Sequence, residues 1–378
     1  MRITELMERS VPYRLVGVSA LEVFFRMPAG AVSTIETTAG IVELATIFDH
    51  VDFPGLPGWD ALVRLDGRRI LVRSVERFGE ADGPTAHPLN TFSWDPDRRA
   101  FADPTGLYES LAEARGRLMT PAKSPVADTD VEPVPVDGMD GLTAAIIAAR
   151  FPLVPAGYPR DVPTWSPEPG APGLWHRLIL EQILTGRFAW RGLDILYRSG
   201  YVEEALPELA PMNRTDHSKE GHPEGNVWRH SLETLKYRKT PAFSVSLALL
   251  LHDSGKPFAE PDGHRRFNAH AEIGADLARK LMERLEMSSE EISTVGWLVR
   301  HHMMPGALER LPDHRRDPIM ASPLFPQLLE VYRCDLSSTF RGPDGYYRAC
   351  RVYRRYLKRA RHNRDEHRVR RLVDLYVE

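Results

Sequence analysis

The sequence predicts an α+β chain, a mixed α/β head followed by an all-α domain, and three observations carry that prediction. Residues 11–120 hold short β-branched runs around a hairpin signal, and a Pro- and acid-rich stretch interrupts the chain from Thr120 to Gly173. Beyond it, apolar residues recur at helical spacing around a series of His and Asp residues. With 378 residues the chain has room for two or three domains, each able to bury a sizeable core.

Composition narrows the function classes. The chain is 42% hydrophobic with a formal net charge of -3, so no global basic charge marks a nucleic-acid binder. Cys334 and Cys350 stand in no zinc-like spacing, which argues against a disulfide framework and a structural zinc site. Met1 to Glu5 lack the apolar core of a signal peptide, and no run approaches membrane-spanning length. The expectation is a cytoplasmic protein without a membrane partner.

In the head, Val11 to Val16 and Ile41 to Phe48 read as β segments, with a short helix from Ala20 to Phe25 between them. Leu62 to Leu65 and Ile70 to Arg73 flank Asp66-Gly67, a hairpin turn whose two residues tolerate positive φ. Asp49 to Asp52 lie in a Pro/Gly-rich loop and Asp95 to Asp97 in a turn, so both read as solvated turn acids. The next stretch reads as an extended connector, with an alanine-rich helix from Leu142 to Phe151 bridging the two halves. Leu174 to Leu184 and Gly192 to Ser199 carry helix-period apolar positions. The boundaries that follow are 1–120 for the head, 121–173 for the connector, 174–225 for a helical neck, 226–340 for the helical domain and 341–378 for a basic terminal helix.

The helical domain is built around His252-Asp253-Ser254-Gly255-Lys256-Pro257, directly after the apolar run Ser246 to Leu251. A His and an Asp side by side at the end of a buried helix offer a neutral nitrogen and an anionic oxygen to one cation. A lone pair of this kind is more often an ordinary helix-end hydrogen-bonding pair. Here it keeps company with His230 upstream and with His270, His301-His302 and Asp335 downstream, all on helical patterns. Asn226 reads as the N-cap of the helix carrying His230, and Asn268 as that of the helix carrying His270. Ser288 and Glu291 form a capping box ahead of the helix that ends at His301-His302.

These residues resemble the HD-domain metal-dependent phosphohydrolases, and in particular the HD domain behind the head of bacterial tRNA nucleotidyltransferases and poly(A) polymerases. The likeness runs through His222 to His230, Leu250 to Pro257, Arg266 to His270 with Ile273 to Ala275, and Leu298 to Met303. The head resembles the nucleotidyltransferase head of the same family, through Leu15-Val16-Gly17, Val42 to Thr46, Asn90 to Pro96 and Asp103 to Gly106. The resemblance therefore implies a nucleotidyltransferase-like head followed by an HD domain.

Its departures lie in the head. Nucleotidyl transfer needs two carboxylates one residue apart on a strand to hold metal ions. The corresponding stretch, Ala31 to Glu36, has no such pair, and Glu43 alone cannot hold two metals. Pro84-Thr85-Ala86 stands where the family places Arg-Arg-Asp, and only Arg150-Phe151 remains of the arginines on the following helix. Val18 replaces the second Gly of a Gly-Gly turn, and its Cβ would crowd an approaching phosphate. The head reads as a retained fold without its transfer chemistry.

For the HD domain the resemblance implies a divalent metal, one ion or two, with Mn, Ni, Mg, Fe and Co undistinguished. His230, His252, Asp253 and Asp335 would hold the first ion, and Asp253 would bridge to a second held by His270, His301 and His302. His301 is the less secure ligand, because the nucleotidyltransferase-like proteins match His302-Met303. A water on the metal would be the nucleophile, with Asp253 and Lys256 as catalytic groups. Lys256, Arg265, Arg266 and Arg300 would offset phosphoryl charge, and His222 would face the substrate or protonate a leaving group. The implied substrate is a nucleotide or RNA-end phosphate ester, cyclic phosphates and 2′-phosphates included. An active tRNA nucleotidyltransferase and a noncatalytic RNA-binding protein are the alternatives. For the basic end, Arg348 to Arg371, two readings stand: RNA contact through its cations, or the solvated face of a packed terminal helix.

Overall fold

The computed structural model describes residues 11–54, 58–65, 68–78, 92–104, 106–119, 132–134, 140–165, 173–216, 225–260, 267–339, 342–360 and 366–378. The chain divides into two compact units, Met1–Tyr201 and Val202–Glu378.

The first unit holds a seven-stranded sheet of β1 (Tyr13–Val16), β2 (Val32–Thr37), β3 (Val51–Asp52), β4 (Ala61–Leu65), β5 (Arg68–Ser74), β6 (Ser93–Asp95) and β7 (Ala100–Ala102). Their order is β3-β4-β5-β2-β1-β6-β7, with β2 parallel to β5 and the other neighbours antiparallel. Leu65 pairs with Arg68, so β4 and β5 bracket the expected Asp66-Gly67 turn, which itself lies outside the described residues. The predicted helix after β1 forms as α1 (Val18–Phe24). Asp95 accepts the amides of Asp97 at 3.1 Å and Arg98 at 3.0 Å, the local bonding of a turn acid.

One element changes type. Ile41 to Phe48, read as a β segment, forms the helix α2 (Ile41–Ile47), entered from an extended Gly40. The run has no period-2 alternation, and in the helix only Leu44 is buried. β2, which precedes it, is already paired on both edges by β1 and β5, so the sheet has no slot beside it for a following strand.

After α3 (Tyr108–Met119), a short parallel pair joins β8 (Glu132–Val134) to β9 (Leu153–Pro155). The alanine-rich helix is α4 (Gly141–Arg150), capped by Asp140, whose carboxylate accepts the Leu142 and Thr143 amides. It packs inside the first unit against α5 (Gly173–Leu184) and α6 (Ala189–Arg198). Its small side chains allow that approach. A Cβ on Gly192 would lie 2.6 Å from the Ala145 carbonyl oxygen, and one on Gly186 would lie 2.3 Å from that of Ala149. Leu178 of α5 packs with Val32, Leu62 and Leu71 of the sheet. Of the stretch 174–225, the residues through Tyr201, α5 and α6 included, lie in the first unit.

The second unit is helical. Its main helices are α7 (Val227–Lys236), α8 (Phe243–Leu251), α9 (His270–Arg284), α10 (Ser289–His301), α11 (Asp313–Met320), α12 (Phe325–Ser337), α13 (Asp344–Arg359) and α14 (Glu366–Tyr376). Val245 to Leu251 of α8 are all buried, as a helix apolar on every side must be, and α8 packs against α7, α10 and α12. The expected single terminal helix is two, α13 and α14, both packed on α12. Tyr346, Ala349, Cys350, Val352 and Tyr353 form the buried stripe of α13, while Arg351, Arg354 and Arg355 face solvent. No described helix is long and apolar enough to cross a membrane.

Candidate metal centre

Four helix ends and the last turns of α12 converge on one carboxylate. α7 starts at its expected cap, Asn226 Oδ1 accepting the Arg229 amide at 2.9 Å, and places His230 on its buried face. His252 and Asp253 follow α8 at the point where its apolar run stops. His270 opens α9, His302 directly follows α10, and Asp335 stands in α12. The Ser288–Glu291 capping box that begins α10 is present.

The expected cap of α9 is not. Asn268 gives way to Ala269, which occupies the cap in the left-handed region at φ 56 without a side-chain bond. Phe267 also has φ 65, so the turn before His270 carries two non-glycine residues at positive φ.

Asp253 is 2% exposed and shared. Its Oδ2 lies 3.3 Å from His252 Nε2 and 3.6 Å from His230 Nε2; its Oδ1 lies 3.5 Å from His270 Nε2 and 3.8 Å from His302 Nε2. His230 Nε2 is also 3.1 Å from Asp335 Oδ1. Two groups thus share Asp253: His230 and His252 on one side, His270 and His302 on the other.

The opposite edge of each ring sets its protonation. Nδ1–H of His252 donates to the Leu249 carbonyl at 2.7 Å, that of His270 to Phe267 at 2.8 Å and that of His302 to Val299 at 2.7 Å. A carbonyl only accepts, so Nδ1 carries the proton and Nε2 presents a lone pair. For His230 the same role falls to Ser338: its hydroxyl donates to the Asp335 carbonyl at 2.7 Å and can receive Nδ1–H at 3.4 Å. No motif in the sequence marks Ser338; its only signal is its place three residues after Asp335.

Burial acts on these groups unequally. It pushes the His302 pKa down to about 3 and lowers that of His270, which favours neutral imidazoles. Burial pushes Asp253 and Asp335 upward, yet with no metal among them Lys256 and histidines in their protonated form outweigh it and hold both below the usual carboxylate range. For Asp253 these are His252, Lys256 and His230; for Asp335, chiefly His230.

The donor set fits a divalent cation. His230 and His252 bring their Nε2 atoms within 3.3 Å of each other, and so do His270 and His302. Lone pairs facing lone pairs and carboxylates across a buried space are unfavourable unless a positive charge lies among them.

Other expected residues lie elsewhere. His301 stacks on Trp297 at 4.6 Å and donates Nδ1–H to the Trp297 carbonyl at 2.8 Å, so it joins neither group. Adjacent helix residues diverge by about 100°, and α10 keeps its helical course through His301. Arg300 is exposed. Lys256 pairs with Asp253 Oδ2 and lies over the Phe267 ring at 5.6 Å. His222, Arg265 and Arg266 fall outside the described residues.

In the first unit, Glu36 is the acidic residue of β2, and it pairs with Arg73 of β5. Thr34, two positions earlier, donates its hydroxyl to the Val16 carbonyl at 2.6 Å. Glu43 is exposed.

Residues 227–331 match the HD domain family. A CC-adding tRNA nucleotidyltransferase of Thermus thermophilus is 32% identical over 178 residues, covering 42% of this chain and 38% of that protein. An A-adding tRNA nucleotidyltransferase of Deinococcus radiodurans is 32% identical over 184 residues, covering 45% and 41%. The matches thus span about two fifths of each relative's length. In fold, the chain is similar to the Bacillus stearothermophilus CCA-adding enzyme in complex with CTP, at a TM-score of 0.51 and 17% identity, over 94% of this chain and 80% of that one.

Proposed function

We propose that this chain, an HD-domain protein related to the CCA-adding tRNA nucleotidyltransferases, is a metal-dependent phosphohydrolase acting on a nucleotide or RNA-end phosphate ester. The observation that carries the reading is Asp253, a buried carboxylate with a pair of imidazole Nε2 atoms facing each of its oxygens. His230, His252, Asp253 and Asp335 would hold one divalent cation, and Asp253, His270 and His302 a second. When bound, such a cation acidifies water and polarises phosphoryl oxygens.

The chain's own residues set the conditions for that chemistry. The carbonyls of Leu249, Phe267 and Val299 fix three imidazoles in the Nδ1–H tautomer, so that their lone pairs are presented without rearrangement. Lys256, held against Asp253, brings a positive charge to the edge of the cluster, where it would offset charge on phosphoryl oxygens. We read the head as lacking nucleotidyl transfer because β2 carries one acid, Glu36, where that chemistry needs a pair of carboxylates.

The relatives' own activity favours a second reading, an active nucleotidyltransferase. Template-free incorporation of CTP or ATP into a tRNA would establish it. The phosphohydrolase reading is tested with cyclic nucleotides, nucleoside monophosphates and a chromogenic phosphodiester, in Mn, Ni or Mg, comparing wild type with Asp253→Ala. Turnover that disappears in the variant is expected. A folded, metal-loaded wild type that turns over none of them would overturn the reading.

A further inference from the structure

We infer that Gly255 is a positioning residue for the His270 side of the centre, and that its missing side chain is what allows a second ion to bind. The inference rests on the metal-site reading above and concerns how the chain assembles that site.

The two groups around Asp253 are built differently. His230, His252 and Asp335 come from α7, the end of α8 and α12. His270 and His302 come from the start of α9 and the end of α10. Asp253 belongs to the turn after α8, so the second group closes only if α9 is held against that turn.

The seam is backbone on backbone. A Cβ on Gly255 would lie 2.1 Å from the His270 carbonyl oxygen and 2.6 Å from the Gly274 amide nitrogen. On the other side, a Cβ on Gly274 would meet Gly255 N at 3.3 Å and Ser254 Oγ at 3.4 Å. Gly255 itself has φ −78 and ψ −16, an ordinary right-handed conformation open to any residue. Glycine is required there for closeness and not for backbone freedom.

A methyl group at position 255 must therefore open the seam by roughly 1 Å. Metal–ligand distances tolerate about 0.2 Å. The residue displaced is His270 itself, whose ring is tied by Nδ1 to Phe267 in the same left-handed turn and cannot swing back independently. The His230–His252 group draws nothing from α9 and is left in place.

The test is Mn stoichiometry and electron paramagnetic resonance of the purified full chain, wild type against Gly255→Ala. Two ions per chain and a spin-coupled signal are expected for the wild type. One ion and an isolated Mn signal are expected for the variant, with second-ion affinity down at least 100-fold. Gly296→Ala serves as the control, since a Cβ there meets nothing within 4 Å, and it should keep both ions.

If Gly255→Ala does not fold, Gly274→Ala presses the same seam by a few tenths of an ångström. It should weaken the second ion about tenfold and leave the first unchanged. Two coupled ions in a folded Gly255→Ala chain, or unchanged second-ion affinity in Gly274→Ala, would overturn the role given to Gly255 alone. A wild type that takes one ion also overturns it while leaving the hydrolase reading intact. A wild type that takes none removes both.

Discussion

His302 Nε2 stands 3.8 Å from Asp253 Oδ1, and burial has pushed the pKa of that imidazole down to about 3. An unfolded chain returns it to about 6.5. The metal-free folded state thus binds fewer protons than the unfolded state between those two values, and stability falls as pH drops through that window. The expected loss is on the order of a few kcal/mol. Thermal melts of the chelator-treated protein between pH 7 and pH 4 check it: the midpoint should fall, and His302→Asn should flatten the slope. A slope unchanged in the variant would assign the acid sensitivity to other groups.

The neighbouring histidines should separate cleanly. His301 stacks on Trp297 outside both groups, whereas His302 is 3.3 Å from His270 within one. His302→Ala should remove one ion and most turnover, at least 100-fold, because a ligand is lost. His301→Ala should leave metal content unchanged and turnover within a fewfold. Metal analysis alongside steady-state rates decides it, and loss of metal in His301→Ala would return that residue to the ligand set.

Much of the centre could be read from the sequence because metal donors carry their chemistry in the residue type. His230, His252, Asp253, His270, His302 and Asp335 stand out by their pattern, and their side chains lie close together in the fold. What could not be read depends on three-dimensional closure. In the sequence only the family resemblance ranks His302 above His301; the course of α10, which turns His301 onto Trp297, separates them physically. Gly255 looks like an ordinary turn residue until α9 lies against it. Ser338 has no signature at all. In the head, the run Ile41 to Phe48 reads as a strand by its β-branched content but forms a helix: it lacks period-2 alternation, and β2 just before it has both edges filled.

Ser338 orients the His230 ring. Its hydroxyl donates to the Asp335 carbonyl, which leaves a lone pair toward His230 Nδ1. Ser338→Ala removes the group that orients that ring and should weaken the first ion about 10- to 100-fold. Folding should survive, since the side chain is small and buried at the end of α12. Competition with a fluorescent chelator measures the change. Equal affinity in variant and wild type would mean that packing alone orients His230.

Glu22 of α1 is buried and pairs with Arg150 at the end of α4, and the Gly30 amide donates to the same carboxylate at 3.0 Å. A Cβ on Gly30 would come within 2.6 Å of the Arg150 guanidinium, so the cation is closely walled in. Burial raises the Glu22 pKa, with Arg150 and the amide opposing it, a sign that the charged pair is only partly compensated. Removing one partner leaves the other charge buried, which costs about 3–5 kcal/mol. Glu22→Ala should therefore destabilise the first unit by that order, and Glu22→Ala with Arg150→Met should recover most of it. Denaturant unfolding of the single and double variants checks this. A double variant no more stable than Glu22→Ala alone would show that the pair supports α1 through packing and not through charge.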